Sequence, residues 1–129
     1  IEVKTVVTGT HLSKELGLSI DNLKKDKIKI DFKLKFLKKN FNSGIGDLII
    51  KFSKLLNNYN PNIVIIFGDR VELMAIAISS SYKSGTLLAH VQAGDKSGHI
   101  DDMTRMALSK LSFVLKLLMM PLKWCPYSK

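Results

Sequence analysis

Two short stretches of this chain hold more chemistry than turning a backbone requires. Gly68-Asp69-Arg70 and Gly94-Asp95-Lys96-Ser97-Gly98-His99-Ile100-Asp101-Asp102 each follow an apolar run and precede a helical pattern. A glycine at a strand end lets backbone approach a ligand closely. A helix start favours anions, and the planar fork of Arg70 suits phosphate or carboxylate. The second stretch places three Asp, a Lys and a His within nine residues. Paired carboxylates beside a cleft are the usual source of a general acid and base. Thr8-Gly9-Thr10-His11 is a thinner candidate, with hydroxyls and amides able to donate to a ligand.

Each stretch also admits a structural explanation. Asp69 with Glu72 three residues on fits a capping box, and a capping Asp can still face a cleft. Asp101 and Asp102 suit a helix N-terminus through the dipole. Asp102 and Arg105, three apart, fit a surface ion pair worth under ~1 kcal/mol. The density of charge favours function for the 94–102 stretch. His11 is as consistent with structure as with function, and His90, inside a strand pattern, reads better as a satisfied interior histidine.

The elements that must position these residues alternate along the chain. Residues 2–8 read as a strand around Val3, Val6 and Val7, with a short helix expected near Lys14–Leu16. Residues 27–36 alternate strictly, placing Ile28, Ile30, Phe32, Leu34 and Phe36 on one face and charge on the other. That is a half-buried strand, with lysines protecting a sheet edge. Asn42-Ser43-Gly44 reads as a break before a helix from Ile45 to Tyr59, spaced three and four and stopped by Pro61. Residues 62–67 form a nearly continuous apolar run, the pattern of a parallel strand buried on both faces. A helix from Arg70 to about Lys83 follows, with Gly85 as its C′ residue. Another buried strand covers 86–92, a loop covers 93–100, and a last helix starts at Asp101 or Asp102 and reaches at least Ser112. The pattern predicts an α/β domain with a largely parallel sheet. In such sheets ligands sit outside the carboxyl ends of strands, where the three candidate loops fall.

Composition narrows the partners. The 129 residues are 46% hydrophobic and 24% charged, enough for one globular domain. Lysine supplies 18 of the 20 basic residues behind the net charge of +9. Eight of those lysines lie between Lys24 and Lys39. Nucleic-acid readers usually add Arg and stacking aromatics, whereas the periodicity gives these lysines a solvated strand face. No nucleic-acid partner is expected. No membrane span is expected either, because Lys110, Lys116 and Lys123 interrupt the one apolar candidate. Cys125 is the only cysteine, with no metal-ligand spacing around it, so no metal site is expected. No signal peptide is visible, and the expected location is cytoplasmic.

Four pieces carry a resemblance in order and spacing: Val6-Val7-Thr8-Gly9-Thr10-His11-Leu12-Ser13, Phe67-Gly68-Asp69-Arg70, His90-Val91-Gln92-Ala93-Gly94-Asp95, and Ser97-Gly98-His99-Ile100-Asp101-Asp102-Met103-Thr104-Arg105 with Ser109-Lys110-Leu111. Over roughly residues 3 to 112 the chain resembles UDP-N-acetylglucosamine 2-epimerases, most closely the hydrolysing branch, which makes N-acetylmannosamine for sialic-acid-type pathways. The resemblance implies a Rossmann-like parallel sheet flanked by helices, here the incomplete N-terminal half of a glycosyltransferase-B-type two-domain fold. It implies UDP-N-acetylglucosamine as the ligand, elimination of UDP across C1–C2, hydration of the glycal, and no cofactor. It assigns catalysis to Asp69 and Asp101; Gln92 stands where many members have an acid, so that role is either absent or passes to Asp95. It assigns substrate contacts to Thr8, Gly9, His11, Gly68, Arg70, Gln92, Gly94, Ser97, Gly98, His99, Asp102 and Arg105. The last two match an acid–Arg frame that also serves as structural support. Phe113 stands where some members carry a His.

Family members begin with a strand and an Arg-containing phosphate loop ahead of the strand near residue 2, and a second half holds most of the UDP site. Neither is present here, so the isolated chain is expected to be an inactive partial domain spanning 1–112. Residues 113–129 are expected to be an atypical tail from truncation or a frameshift. An unpaired sheet position and a missing partner domain suggest aggregation or a homodimer. The competing functions are the non-hydrolysing epimerase giving UDP-N-acetylmannosamine, a non-catalytic nucleotide-sugar-binding remnant, and, from charge alone, a nucleic-acid binder.

Overall fold

The computed structural model describes residues 1–12, 20–36, 40–91 and 101–113. Strands and helices alternate through these residues. β1 (Val6–Thr8) leads into a short 3-10 helix (Gly9–Leu12), and α1 (Ile20–Lys25) precedes β2 (Phe32–Leu34). α2 (Phe41–Tyr59), β3 (Ile63–Phe67), α3 (Glu72–Ser81), β4 (Leu87–Val91) and α4 (Asp101–Leu111) follow. The helix expected near Lys14–Leu16 lies outside the described residues.

Both strand pairs are parallel, as the alternation with helices requires. Val6 lies opposite Phe32 and Thr8 opposite Leu34. Ile63 lies opposite Leu87 and Phe67 opposite Val91. Among the described residues these are two two-stranded parallel sheets flanked by helices, the α/β arrangement that the alternation predicts. β2 is shorter than the ten-residue alternation because β1 offers only three pairing positions. The alternation still governs burial, with Lys33 exposed and Phe32, Leu34 and Phe36 half-buried. Asp31 fixes the entry to this pair: its Oδ2 accepts from the Thr5 backbone N–H at 2.9 Å. That bond, and then Lys29 at 3.1 Å, hold its carboxyl below the usual carboxylate range.

α2 begins four residues before the expected Ile45, so Asn42-Ser43-Gly44 is its first turn and no break. Asn40 is the cap, its side chain accepting from the Ser43 N–H at 3.2 Å. Asn60 in the left-handed region ends the helix, its N–H reaching the Leu56 carbonyl, before Pro61. α3 is shorter than expected at both ends. It is capped by Val71 in helical conformation with no side-chain bond, so the Asp69–Glu72 capping box does not form. Its C-cap is Tyr82, and Gly85 lies in the turn beyond. Ser79, Ser80 and Ser81 each donate to the carbonyl four residues back, at 2.8 Å. For the buried Ser79 and Ser80 these bonds satisfy hydroxyls that burial would otherwise strand.

The core joins Leu48, Phe52 and Leu56 of α2, Ala75, Ile76 and Ala77 of α3, Ile66, Leu88, and Leu108 of α4. All of it lies on one side of the β3–β4 pair. Ile66 is 4% exposed, while Ile63, Ile65 and Phe67, pointing the other way, are 55%, 69% and 66% exposed. The expectation that β3 is buried on both faces therefore fails among the described residues. The same holds for β4, where Leu88 is buried and Leu87 is exposed. The physical reason is that α2, α3 and α4 stack against one another on the Ile66 face.

Candidate active site

The carboxyl ends of β1 and β3 and the amino-terminal turns of α3 and α4 meet around five charged side chains. Phe67 ends β3, and Gly68 follows at φ +90°, a conformation that favours glycine. Its N–H donates to the Val91 carbonyl at 3.3 Å, extending the β3–β4 ladder by one bond. Its own carbonyl accepts from His90 Nε2 at 2.7 Å. A carbonyl can only accept, so Nε2 carries the proton. In the neutral imidazole Nδ1 is then the acceptor, and Ser109 Oγ of α4 donates to it at 3.3 Å. His90 is buried and satisfied at both nitrogens, as its place inside a strand suggested. It ties the Gly68 turn to α4.

That turn presents Asp69 to α4. An Arg105 terminal nitrogen donates to Asp69 Oδ2, and Arg105 Nη1 also donates to Asp102 Oδ1 at 3.3 Å. The Arg105 side chain is 14% exposed, between carboxylates at 25% and 20%. The acid–Arg pair read from the local spacing of Asp102 and Arg105 thus exists, but it is not a free surface pair. It includes Asp69 from across the fold, and this shared cation fixes the direction of the Asp69 carboxylate.

Arg70 faces the other way. Its Nε donates to Glu72 Oε1 at 2.9 Å, with the arginine side chain 54% exposed and the glutamate 5%. Glu72 also underlies the turn after β1. Gly9 sits there at φ +63°, and a Cβ built on it would overlap the Glu72 carboxylate. The Thr8 hydroxyl beside it is buried and has no hydrogen-bond partner among the described residues.

Of the candidate residues, the structure brings together Gly68, Asp69, Arg70, Asp102 and Arg105, and joins Gly9 to them through Glu72; Thr8 precedes Gly9 at the end of β1. Asp101 opens α4 at the same end. His11 lies on the exposed last turn of the 3-10 helix. Gln92, Gly94, Asp95, Ser97, Gly98 and His99 lie outside the described residues. Glu72 is the residue that sequence reasoning used only as a capping partner. One signal marked it: it is the only charge from Val71 through Tyr82, and a lone acid on an otherwise apolar helix is either a solvent marker or a buried, partnered group.

An α/β fold with carboxylates and an arginine at the carboxyl ends of parallel strands is the class of site that binds and transforms polar, anionic small molecules. The family model described as UDP-N-acetylglucosamine 2-epimerase matches residues 1–119, and the chain belongs to that family. It is 30% identical over 118 residues to the UDP-N,N'-diacetylbacillosamine 2-epimerase (hydrolyzing) of Legionella pneumophila, covering 87% of this chain and 31% of that protein. It is 30% identical over 120 residues to the UDP-N-acetylglucosamine 2-epimerase of Neisseria meningitidis, covering 88% and 30%. The fold matches a crystal structure of a UDP-N-acetylglucosamine 2-epimerase from Listeria monocytogenes with a TM-score of 0.74 at 22% identity, over 87% of this chain and 30% of that one. It also matches the Neisseria meningitidis enzyme bound to UDP-GlcNAc, with a TM-score of 0.70 at 20% identity, over 84% and 30%. The chain therefore spans about 30% of the length of these relatives.

Proposed function

We propose that this chain is part of a hydrolysing epimerase that converts UDP-N-acetylglucosamine and water to N-acetylmannosamine and UDP. The observation that carries the proposal is the Asp69 carboxylate at the end of β3, aimed by Arg105 and flanked by the exposed Arg70. The hydrogen at C2 of the sugar is weakly acidic, so a positioned carboxylate must take it as the C1–O bond breaks and UDP leaves with the bonding pair. Asp69 and Asp101 are the acids in this role, with Asp95 in place of the acid absent at Gln92. The UDP oxygen that leaves is anionic, and Arg70 is the described group best exposed to meet it. Water then adds across the glycal, its hydroxyl to C1 and a proton to C2, giving the epimeric amino sugar. The two-domain glycosyltransferase-B-type architecture belongs to this proposal, as do a cytoplasmic location and an independence from nucleic acid. No described helix is long and apolar enough to cross a membrane.

The hydrolysing outcome is favoured over the non-hydrolysing one by the relative from Legionella pneumophila, whose name carries that reaction. Gln92 favours a second reading, a nucleotide-sugar-binding remnant without turnover. A proton-NMR time course of UDP-N-acetylglucosamine with this chain in D2O separates the three. UDP with N-acetylmannosamine deuterated at C2 is the expected product set for the hydrolysing enzyme. UDP-N-acetylmannosamine without free UDP would overturn the hydrolysing assignment. Line broadening of the substrate with no product would mark this chain as an incomplete enzyme or a binding remnant, and the same time course with the full-length enzyme decides between them.

A further inference from the structure

Glu72 is a carboxylate in an apolar setting, 4% exposed and beside Ala75 and Ile76 of the core. Burial of that kind is costly without a partner. Its place in the first turn of α3 offsets part of the cost through the helix dipole, and Arg70 supplies the counter-charge. The bond uses Arg70 Nε, on the flank of the guanidinium, and the arginine side chain as a whole stays 54% exposed. Among the described residues Glu72 is the only partner of Arg70. The same carboxylate lies against Gly9, so its position sets how closely the turn after β1 approaches the turn after β3.

We propose that Glu72 is a positioning residue: it holds Arg70 by Nε so that the terminal guanidinium nitrogens form a preset clamp for the diphosphate of a nucleotide sugar, with the Gly9 backbone as the facing wall. This inference rests on the nucleotide-sugar reading of the site. A free arginine loses rotamer freedom when it grips a ligand, and fixing Nε beforehand removes part of that cost from binding. A structural ion pair alone would stabilise the fold without affecting the ligand.

The chain has two arginines, Arg70 and Arg105, so its two Nε–H signals are resolved and assigned by NMR with R70K. The experiment combines Nε–H order with titration of UDP in the full 129-residue chain, for wild type, E72Q, E72A, R70A and the E72A/R70A double variant. The Arg70 Nε–H is ordered in wild type and mobile in E72A. R70A and E72A each weaken UDP by about tenfold, the size expected for a lost charge-assisted contact, and E72A has no further effect in the R70A background. E72Q keeps an acceptor of the same shape, weakens UDP less than E72A, and serves where E72A does not fold. Wild-type affinity in E72A or E72Q, with R70A weakened, overturns the inference and leaves the nucleotide reading standing. Multiplying effects of E72A and R70A overturn it as well. If the wild-type chain does not bind UDP, the diphosphate clamp fails in this chain, while the nucleotide reading of the complete enzyme still rests on the family. The NMR arm then decides positioning alone: equal mobility of the Arg70 Nε–H in wild type and E72A overturns it, and order confined to wild type supports it.

Discussion

Gly9→Ala tests the contact between the two halves of the site. Two costs are expected. An alanine at φ +63° pays about 1–2 kcal/mol for the left-handed backbone. Its Cβ also overlaps the Glu72 carboxylate and forces that side chain out of its pocket. A charged hydrogen bond is typically worth about 1.5–3 kcal/mol, but Arg70 is 54% exposed, so screening reduces the loss of the Arg70–Glu72 bond to about 1 kcal/mol. The sum is about 2–3 kcal/mol. Urea unfolding followed by circular dichroism measures it, and with a slope of about 1–3 kcal/mol per molar the midpoint falls by about 1 M. The decisive comparison is the same substitution in a Glu72→Ala background. There the overlap is gone, and only the backbone cost of about 1–2 kcal/mol remains. The expected coupling is therefore about 1 kcal/mol, outside the ~0.5 kcal/mol by which independent sites depart from additivity. Equal costs in the two backgrounds would refute the contact between Gly9 and Glu72, and with it the link between the β1 and β3 turns.

Asp69→Asn removes the carboxylate charge that Arg105 holds, and in the complete enzyme it and Asp101→Asn should each lower turnover about a hundredfold; steady-state kinetics at wild-type rate would remove either residue from the mechanism. Asp31→Asn tests the anchor between β1 and β2 through pH. Because the folded carboxyl is held below its ordinary range, its stabilisation is fully present above that range and lost as pH falls through the depressed value. The difference in thermal midpoint between wild type and Asp31→Asn should therefore be largest near neutral pH and shrink on acidification, and a difference that grows in acid contradicts the anchor. Lys33→Glu lies on the exposed face of β2 and should leave UDP affinity unchanged in a binding titration; a large loss would place that face in the site.

Among the described elements, the strands and all the α-helices but α1 were legible in order and type, because burial follows period two in β2 and spacing of three and four in α2, where Leu48, Phe52 and Leu56 form one stripe. The boundaries were less so. Gly44 reads locally as a breaker, but Asn40 supplies the cap and the glycine is buried inside the helix. The exposed side of β3 was illegible for a different reason. An apolar run of five residues reports that a strand can be buried on two faces, while the placement of α2, α3 and α4 decides whether it is. The charged turn Gly68-Asp69-Arg70 was legible from the clustering of charge at a strand end. Its pairing was not, since Asp69 meets Arg105 across 36 residues and no local pattern encodes that distance.

Local spacing pairs Asp69 with Glu72 as a cap, and Asp102 with Arg105 as a surface bridge. The fold exchanges these partners. Asp69 joins Asp102 on the nearly buried Arg105, and Glu72 turns to Arg70. The exchange explains how three carboxylates crowd one end of a parallel strand pair: each is held by a guanidinium, and each is less exposed than Arg70. Their mutual repulsion is thus met inside the protein, and among these five described side chains the most open charge is the positive one of Arg70. A sugar joined to a diphosphate carries its negative charge on the side that leaves, and its acidic hydrogen on the adjacent carbon. An exposed cation beside a recessed carboxylate matches that order of charge, which a pair of exposed carboxylates would repel.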